Sequence, residues 1–149
     1  AARAVTPADL DRTDLRGPMA DMAASAVAAI PAVRAALLDF QRAFGRDRGA
    51  VLDGRDIGTV VFPDARVKLY VTASVEERAR RRFLELQARG VAADRSQVEA
   101  EIRDRDAQDA NRPVAPLKPA PDAILLDTTS LDAEAAFAAA LDLVRGRLG

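Results

Sequence analysis

Read for apolar and polar alternation, the chain offers three short apolar runs bounded by Gly, Pro, Asp or Thr: 50–53, 67–72 and 123–127. Runs this short with such boundaries predict buried strands. Helical periodicity fills the spaces between and around them. Pro18 suits a first helical turn, and Met19, Met22, Ala26 and Ile30 then share one face. Pro31 opens a second helix with Val33, Leu37, Phe40 and Phe44 at helical spacing, and Gly45 is expected to stop it. Ser74 and Glu77 form an S-x-x-E capping pattern at the head of a third helix that runs to Gly90. Asp94 and Gln97 open a fourth helix. Asp132 caps a last one, whose Phe137, Leu141, Val144 and Leu148 line one side. Strands alternating with helices predict an α/β protein with a parallel sheet. Three strands are narrow for this length, and parallel sheets are normally covered on both faces, so the pattern reads as part of a larger sheet.

Composition narrows the chemistry. The chain has 149 residues, with Lys plus Arg 22 against Asp plus Glu 23. A near-zero balance argues against a general nucleic-acid polymer or membrane-surface role. With no cysteine and no histidine, there is no disulfide framework, thiolate metal site or imidazole base. Chemistry is left to Asp, Glu, Arg, Lys or a bound ion. No apolar run reaches membrane-spanning length, and Asp9, Asp11 and Asp14 are unlike a signal peptide, so a cytoplasmic protein is expected. Arg dominates the cations, with Lys only at 68 and 118. Arg is the side chain suited to forked recognition of phosphate.

Ligands of open α/β sheets bind beyond the carboxyl ends of the strands. The first expected strand ends in Asp53-Gly54-Arg55-Asp56-Ile57-Gly58-Thr59. That is either a polar ligand site, whose acid can hold magnesium through water, or a tight polar turn. In the third helix Arg78, Arg81 and Arg82 share a face, either for an anion or as a solvated face neutralised by Glu76, Glu77 and Glu85. Arg105, Asp109 and Arg112 form a stripe on the fourth. If these helices pair as a hairpin, both Arg faces can converge on one volume, as a transferring phosphoryl group requires. A plain Asp–Arg surface pair is the alternative. Four prolines between 113 and 121 then make a stiff, extended connector.

Taken together, the segments 51–65 (VLDGRDIGTVVFPDA) and 76–82 (EERARRR), then Arg105-Asp106, Asp109, Arg112, Ala115-Pro116-Leu117 and Asp127-Thr128-Thr129, resemble the bacterial cytidylate kinase family in order and spacing. The resemblance implies a P-loop nucleoside monophosphate kinase fold: a parallel sheet with flanking helices, incomplete at its N-terminus. It implies transfer of the ATP γ-phosphoryl group to CMP or dCMP with Mg2+, by a parent enzyme that is monomeric. Residues 1–45 would be the remainder of the monophosphate-binding insert. Residues 46–149 would be the C-terminal part of the core, with a lid hairpin at about 75–112. By the same resemblance Ser25, Arg34 and Asp56 fall where the family reads cytosine. Arg55 and Arg112 fall near the acceptor phosphate, and Asp109 at a ribose hydroxyl. Arg78, Arg81, Arg82 and Arg105 fall in the lid, with Arg81 and Arg82 toward ATP, and Asp53 near the magnesium. The family's G-x-x-x-x-G-K-[ST] pattern occurs nowhere in these residues. The chain alone is therefore expected to be inactive and marginally stable. A pyrimidine-nucleotide-binding module without catalysis, or one half of a split kinase, are the alternative readings.

Overall fold

A computed structural model describes residues 23, 26, 27 and 30–149, with the backbone alone for 47 and 48. The chain divides into two compact units, Ala1–Asp53 and Gly54–Gly149. In the first unit, α1 spans Pro31–Arg48 with its proline in the first turn, where the missing N–H costs nothing. Gly45 does not end it. The helix runs on to Gly49, whose φ of 69° with ψ 148° is an extended positive-φ conformation that is in practice reserved for glycine. Gly45 stays inside at a cost of about 1 kcal/mol relative to Ala. The helix expected from Pro18 lies largely outside the described residues.

The strand expected at 50–53 does not form. Val51 is fully exposed, at 103%, and the segment belongs to no ladder among the described residues. A strand exists only through backbone bonds to a neighbour, and an apolar run cannot supply that neighbour by itself.

The second unit is built on two parallel strands, β1 (Leu69–Thr72) and β2 (Ile124–Asp127), in register from Leu69↔Ile124 to Thr72↔Asp127. The ladder continues past both ends, with Ile124 N–H bonded to Lys68 C=O at 2.9 Å and Thr128 N–H to Thr72 C=O at 2.8 Å. Parallel neighbours cannot be joined by a tight turn. Residues 73–123 make the crossover, as two antiparallel helices and a proline-rich return. These helices, α2 (Val75–Ala88) and α3 (Arg95–Ala110), pack on each other. Ala79 and Val98 are their buried apolar residues. Gly90, at φ 70°, turns the chain between them.

The expected N-cap residues cap their helices, but the S-x-x-E box closes only on its Ser74 side, because Ser74 N–H bonds Thr129 and the Glu77 carboxylate takes Arg80 and Arg81. The Ser74 hydroxyl accepts from Glu77 N–H at 3.2 Å and the Asp94 carboxylate from Gln97 N–H at 3.0 Å. Asp132 accepts from Ala135 N–H at 2.8 Å and opens α4 (Ala133–Leu148), which packs against β2. Its sheltered side differs from the expected one. Leu141 and Val144 are half-buried, but Phe137 and Leu148 are exposed. Ala136 and Ala140 take the sheltered positions instead.

Two polar clamps hold the sheet's ends. At the start of β1, Lys68 is only 8% exposed and its ammonium pairs with Asp122 at 2.7 Å. It also donates to the Pro63 carbonyl. At the far end, Thr129 Oγ1 accepts from Ser74 N–H at 2.9 Å and donates to Asp127 at 2.5 Å. The buried Thr128 hydroxyl donates to Thr72 C=O at 3.0 Å.

Replacing Ser74 with Ala removes the α2 cap. The substitution is expected to lower unfolding free energy by about 1 kcal/mol, read from urea denaturation followed by circular dichroism.

Candidate functional site

The second unit gathers its charged groups where α3 ends and the segment after Asp53 begins. Asp56 closes that segment into a single π-helical turn, Ile57–Val61. Its carbonyl accepts from Val61 N–H at 3.2 Å and from Val60 N–H at 2.8 Å. Such wide turns are rare and concentrate at functional positions. A Cβ on Gly54 would sit 2.9 Å from the Ile57 side chain, which would have to shift to admit it. Gly58 lies against the Lys68 methylenes, with its Cβ position 3.3 Å from Cδ. The Lys68 clamp therefore also backs this turn.

Arg55 projects from this segment to Asp109 on α3, Nε to Oδ2 at 3.1 Å. Arg112, one turn further along, places Nη2 2.5 Å from the other oxygen, Oδ1. The Asp109 side chain is 5% exposed, against 41% for Arg55 and 24% for Arg112. One buried carboxylate thus holds two guanidiniums, each on its own oxygen. The trio keeps a net positive charge. The Arg55 Nη groups have no protein partner among the described residues. Behind Arg112 the proline-rich segment folds back, and Leu117 N–H bonds Asp109 C=O at 2.9 Å. That return passes through Ala115 at φ 53°, a left-handed conformation that L residues seldom adopt. Arg105 lies four residues before Asp109 on the same stripe. It is exposed and unpaired among the described residues.

The α2 arginines are engaged by protein groups. Arg78 forks onto Asp106 of α3 at 2.7 and 2.8 Å, and its Nε donates to Ala73 C=O at 3.0 Å. The Asp106 hydrogen bonds raise its pKa. Arg81 donates to Glu77 at 2.8 Å, to the Thr128 carbonyl at 2.5 Å and to the Leu131 carbonyl at 3.1 Å. Arg82 pairs with Glu85 at 2.9 Å. Glu77 also takes a fork from Arg80 at 2.7 Å. Arg80 foremost, then Arg81, holds the Glu77 carboxyl down to about 2.

Arg34 lies half-buried on α1, and Asp53 is exposed at the end of the first unit. Ser25 lies outside the described residues. The structure brings together Arg55, Asp109 and Arg112, with Arg105 on the same stripe. Sequence reasoning missed Asp106 as the partner of Arg78, because 28 positions separate them and no local spacing marks the pair. Among the described residues no three acids come together as a metal cage. Magnesium dehydrates reluctantly and is commonly held through water and nucleotide phosphates with one or two carboxylates. No helix among the described residues is long and apolar enough to cross a membrane.

Residues 4–146 match the family model described as cytidylate kinase. The chain belongs to the cytidylate kinase family. It is 61% identical over 148 residues to the cytidylate kinase of Paramagnetospirillum magneticum, covering 97% of this chain and 70% of that protein. To the cytidylate kinase of Granulibacter bethesdensis it is 61% identical over 145 residues, covering 97% and 69%. To that of Cereibacter sphaeroides it is 57% identical over 148 residues, covering 99% and 72%. Membership places the parallel strands and flanking helices within the P-loop nucleoside monophosphate kinase fold, a cytidylate kinase being a phosphotransferase.

Because the Glu77 pKa is depressed from 4.5 to about 2, its stabilising contribution is full above about pH 4.5 and is lost as pH falls through 2. Glu77→Gln is expected to flatten the dependence of unfolding free energy on pH in that window. Denaturant titrations of both proteins across the range check it.

Proposed function

We propose that the protein serves as a (d)CMP kinase, transferring the γ-phosphoryl group of Mg2+-bound ATP to CMP or dCMP. The observation that carries this reading is the pair of guanidiniums, Arg55 and Arg112, held side by side by the buried Asp109 with donors to spare. A phosphate monoester is dianionic and planar recognition by Arg suits its oxygens. Two cations prepositioned by one carboxylate can receive it without first being ordered.

The acceptor oxygen is already ionised, so no strong base is needed. Charge neutralisation and alignment then supply the rate enhancement. In this reading Arg55 and Arg112 hold the acceptor phosphate. Arg105, exposed on the same stripe, meets the charge that develops between acceptor and donor. Asp109 orients both guanidiniums, one on each of its oxygens, and the ribose-hydroxyl role that the resemblance gives it is part of this reading. Ser25, Arg34 and Asp56 read the base, with a carboxylate accepting from the cytosine amino group. Arg81 and Arg82 of α2 face ATP only if the nucleotide displaces their present partners, the Thr128 and Leu131 carbonyls for Arg81 and Glu85 for Arg82. Magnesium neutralises phosphate charge when bound, and Asp53 would reach it through water. Closure of the α2–α3 hairpin would exclude water as a competing acceptor. The enzyme would work in the cytoplasm as a monomer.

A coupled assay of ADP formation tests this reading. The full-length protein should turn over CMP faster than UMP, and no CMP-dependent turnover would sink the proposal. Asp56→Ala should reduce the CMP-over-UMP ratio of kcat/KM by roughly 5- to 100-fold, the worth of one lost base contact. An unchanged ratio would refute the role of Asp56. A polypeptide limited to residues 1–149 has no phosphate-cradling G-x-x-x-x-G-K-[ST] and should show no turnover above background in the same assay.

A further inference from the structure

The arginine that the lid resemblance groups with the phosphate ligands has its three nitrogens bonded inside the protein. Arg78 Nη1 and Nη2 each take one oxygen of Asp106, at 2.8 and 2.7 Å, and Nε donates to Ala73 C=O at 3.0 Å. Its position in the fold gives those contacts meaning. Arg78 is in the first turn of α2, Asp106 in the last turns of α3, and Ala73 is the buried residue just beyond β1. One side chain therefore ties the end of a strand to both legs of the hairpin at its base. A second, more exposed pair, Arg103 with Glu76 at 3.1 Å, crosses at the same level.

Asp106 is one helical turn before Asp109 and two before Arg112. The stretch of α3 that Arg78 fixes is the stretch that carries the carboxylate shared by Arg55 and Arg112. We propose that Arg78 is a positioning residue, one that sets the placement of Asp109 and Arg112 through Asp106 rather than contacting a transferring phosphate. The inference rests on the kinase reading above. The fork has direct consequences. Both Asp106 oxygens are taken by one rigid, planar group, so the angle between the two helices at this level is set, not merely their separation. A Lys can supply charge here but not that angle. A nucleotide phosphate drawing Arg78 away would have to break two short charge-assisted bonds and leave the Ala73 carbonyl without its donor.

Steady-state kinetics of the full-length protein and its Arg78→Gln, Asp106→Asn and Arg78→Gln/Asp106→Asn variants test this. The fold of each is checked by circular dichroism. Either single change should raise the KM for CMP by roughly 10- to 100-fold, the cost of a small misplacement of binding groups. The KM for ATP should not move. The double variant should be no worse than either single one, because the two residues act as one unit. Arg78→Lys, which keeps charge and stem, guards against simple loss of fold and should raise the CMP KM as Arg78→Gln does. Near-normal kinetics for Asp106→Asn beside a collapse of kcat for Arg78→Gln would mean that Arg78 meets the phosphates itself, and the inference falls. So would full activity of Arg78→Lys. Unmodified protein that does not phosphorylate CMP would overturn the kinase reading, and this inference with it.

Discussion

The chemistry of the second unit depends on a carboxylate that is almost out of water. A carboxylate as enclosed as that of Asp109 needs partners to replace the hydration it has lost. Arg55 and Arg112 do so, one on each oxygen. The arrangement constrains the chain from three directions. Arg55 must leave the glycine-flanked segment at the right angle, α3 must end where Arg112 can reach back, and the proline-rich return must bring Leu117 N–H to the Asp109 carbonyl. Ala115 adopts its left-handed conformation within that return.

The trio carries surplus positive charge, two cations against one anion, and its side chains are held by ion pairs. In the proposed reading that order removes part of the entropy cost of recognising an anion. The α2 arginines are arranged on a different principle. Arg78 and Arg81 spend their donors on protein acceptors, including main-chain carbonyls at the carboxyl ends of the two strands. They connect helix to sheet.

Much of this was legible from local signals. Ser74, Asp94 and Asp132 each cap the helix that their spacing announced, because a cap needs only a side-chain oxygen and an N–H three residues on. Asp109 and Arg112 could be paired from their positions on one helix. Val51 and Leu52 looked like strand and are not one, since the apolar run describes burial preference and not the neighbour that completes a ladder. Gly45 looked like a stop because any glycine can be one, whereas of the two it is Gly49 that takes the positive φ at which the helix ends. The Arg78–Asp106 fork was invisible in advance, because it joins two helices through tertiary packing. Phe137 and Leu148 show the same limit, as periodicity selects a stripe but not the angle at which a helix settles on its strand.

The parallel pairing of β1 and β2 also bears on the order in which the chain organises itself. Their register joins residues separated by the whole hairpin and the proline-rich return. Closing so long a loop costs entropy before any ladder bond is gained. The hairpin α2–α3, by contrast, is assembled from near neighbours across a glycine turn and carries its own caps. Loop-closure entropy therefore favours an order in which the two helices pair first, shortening the effective span before the strands zip.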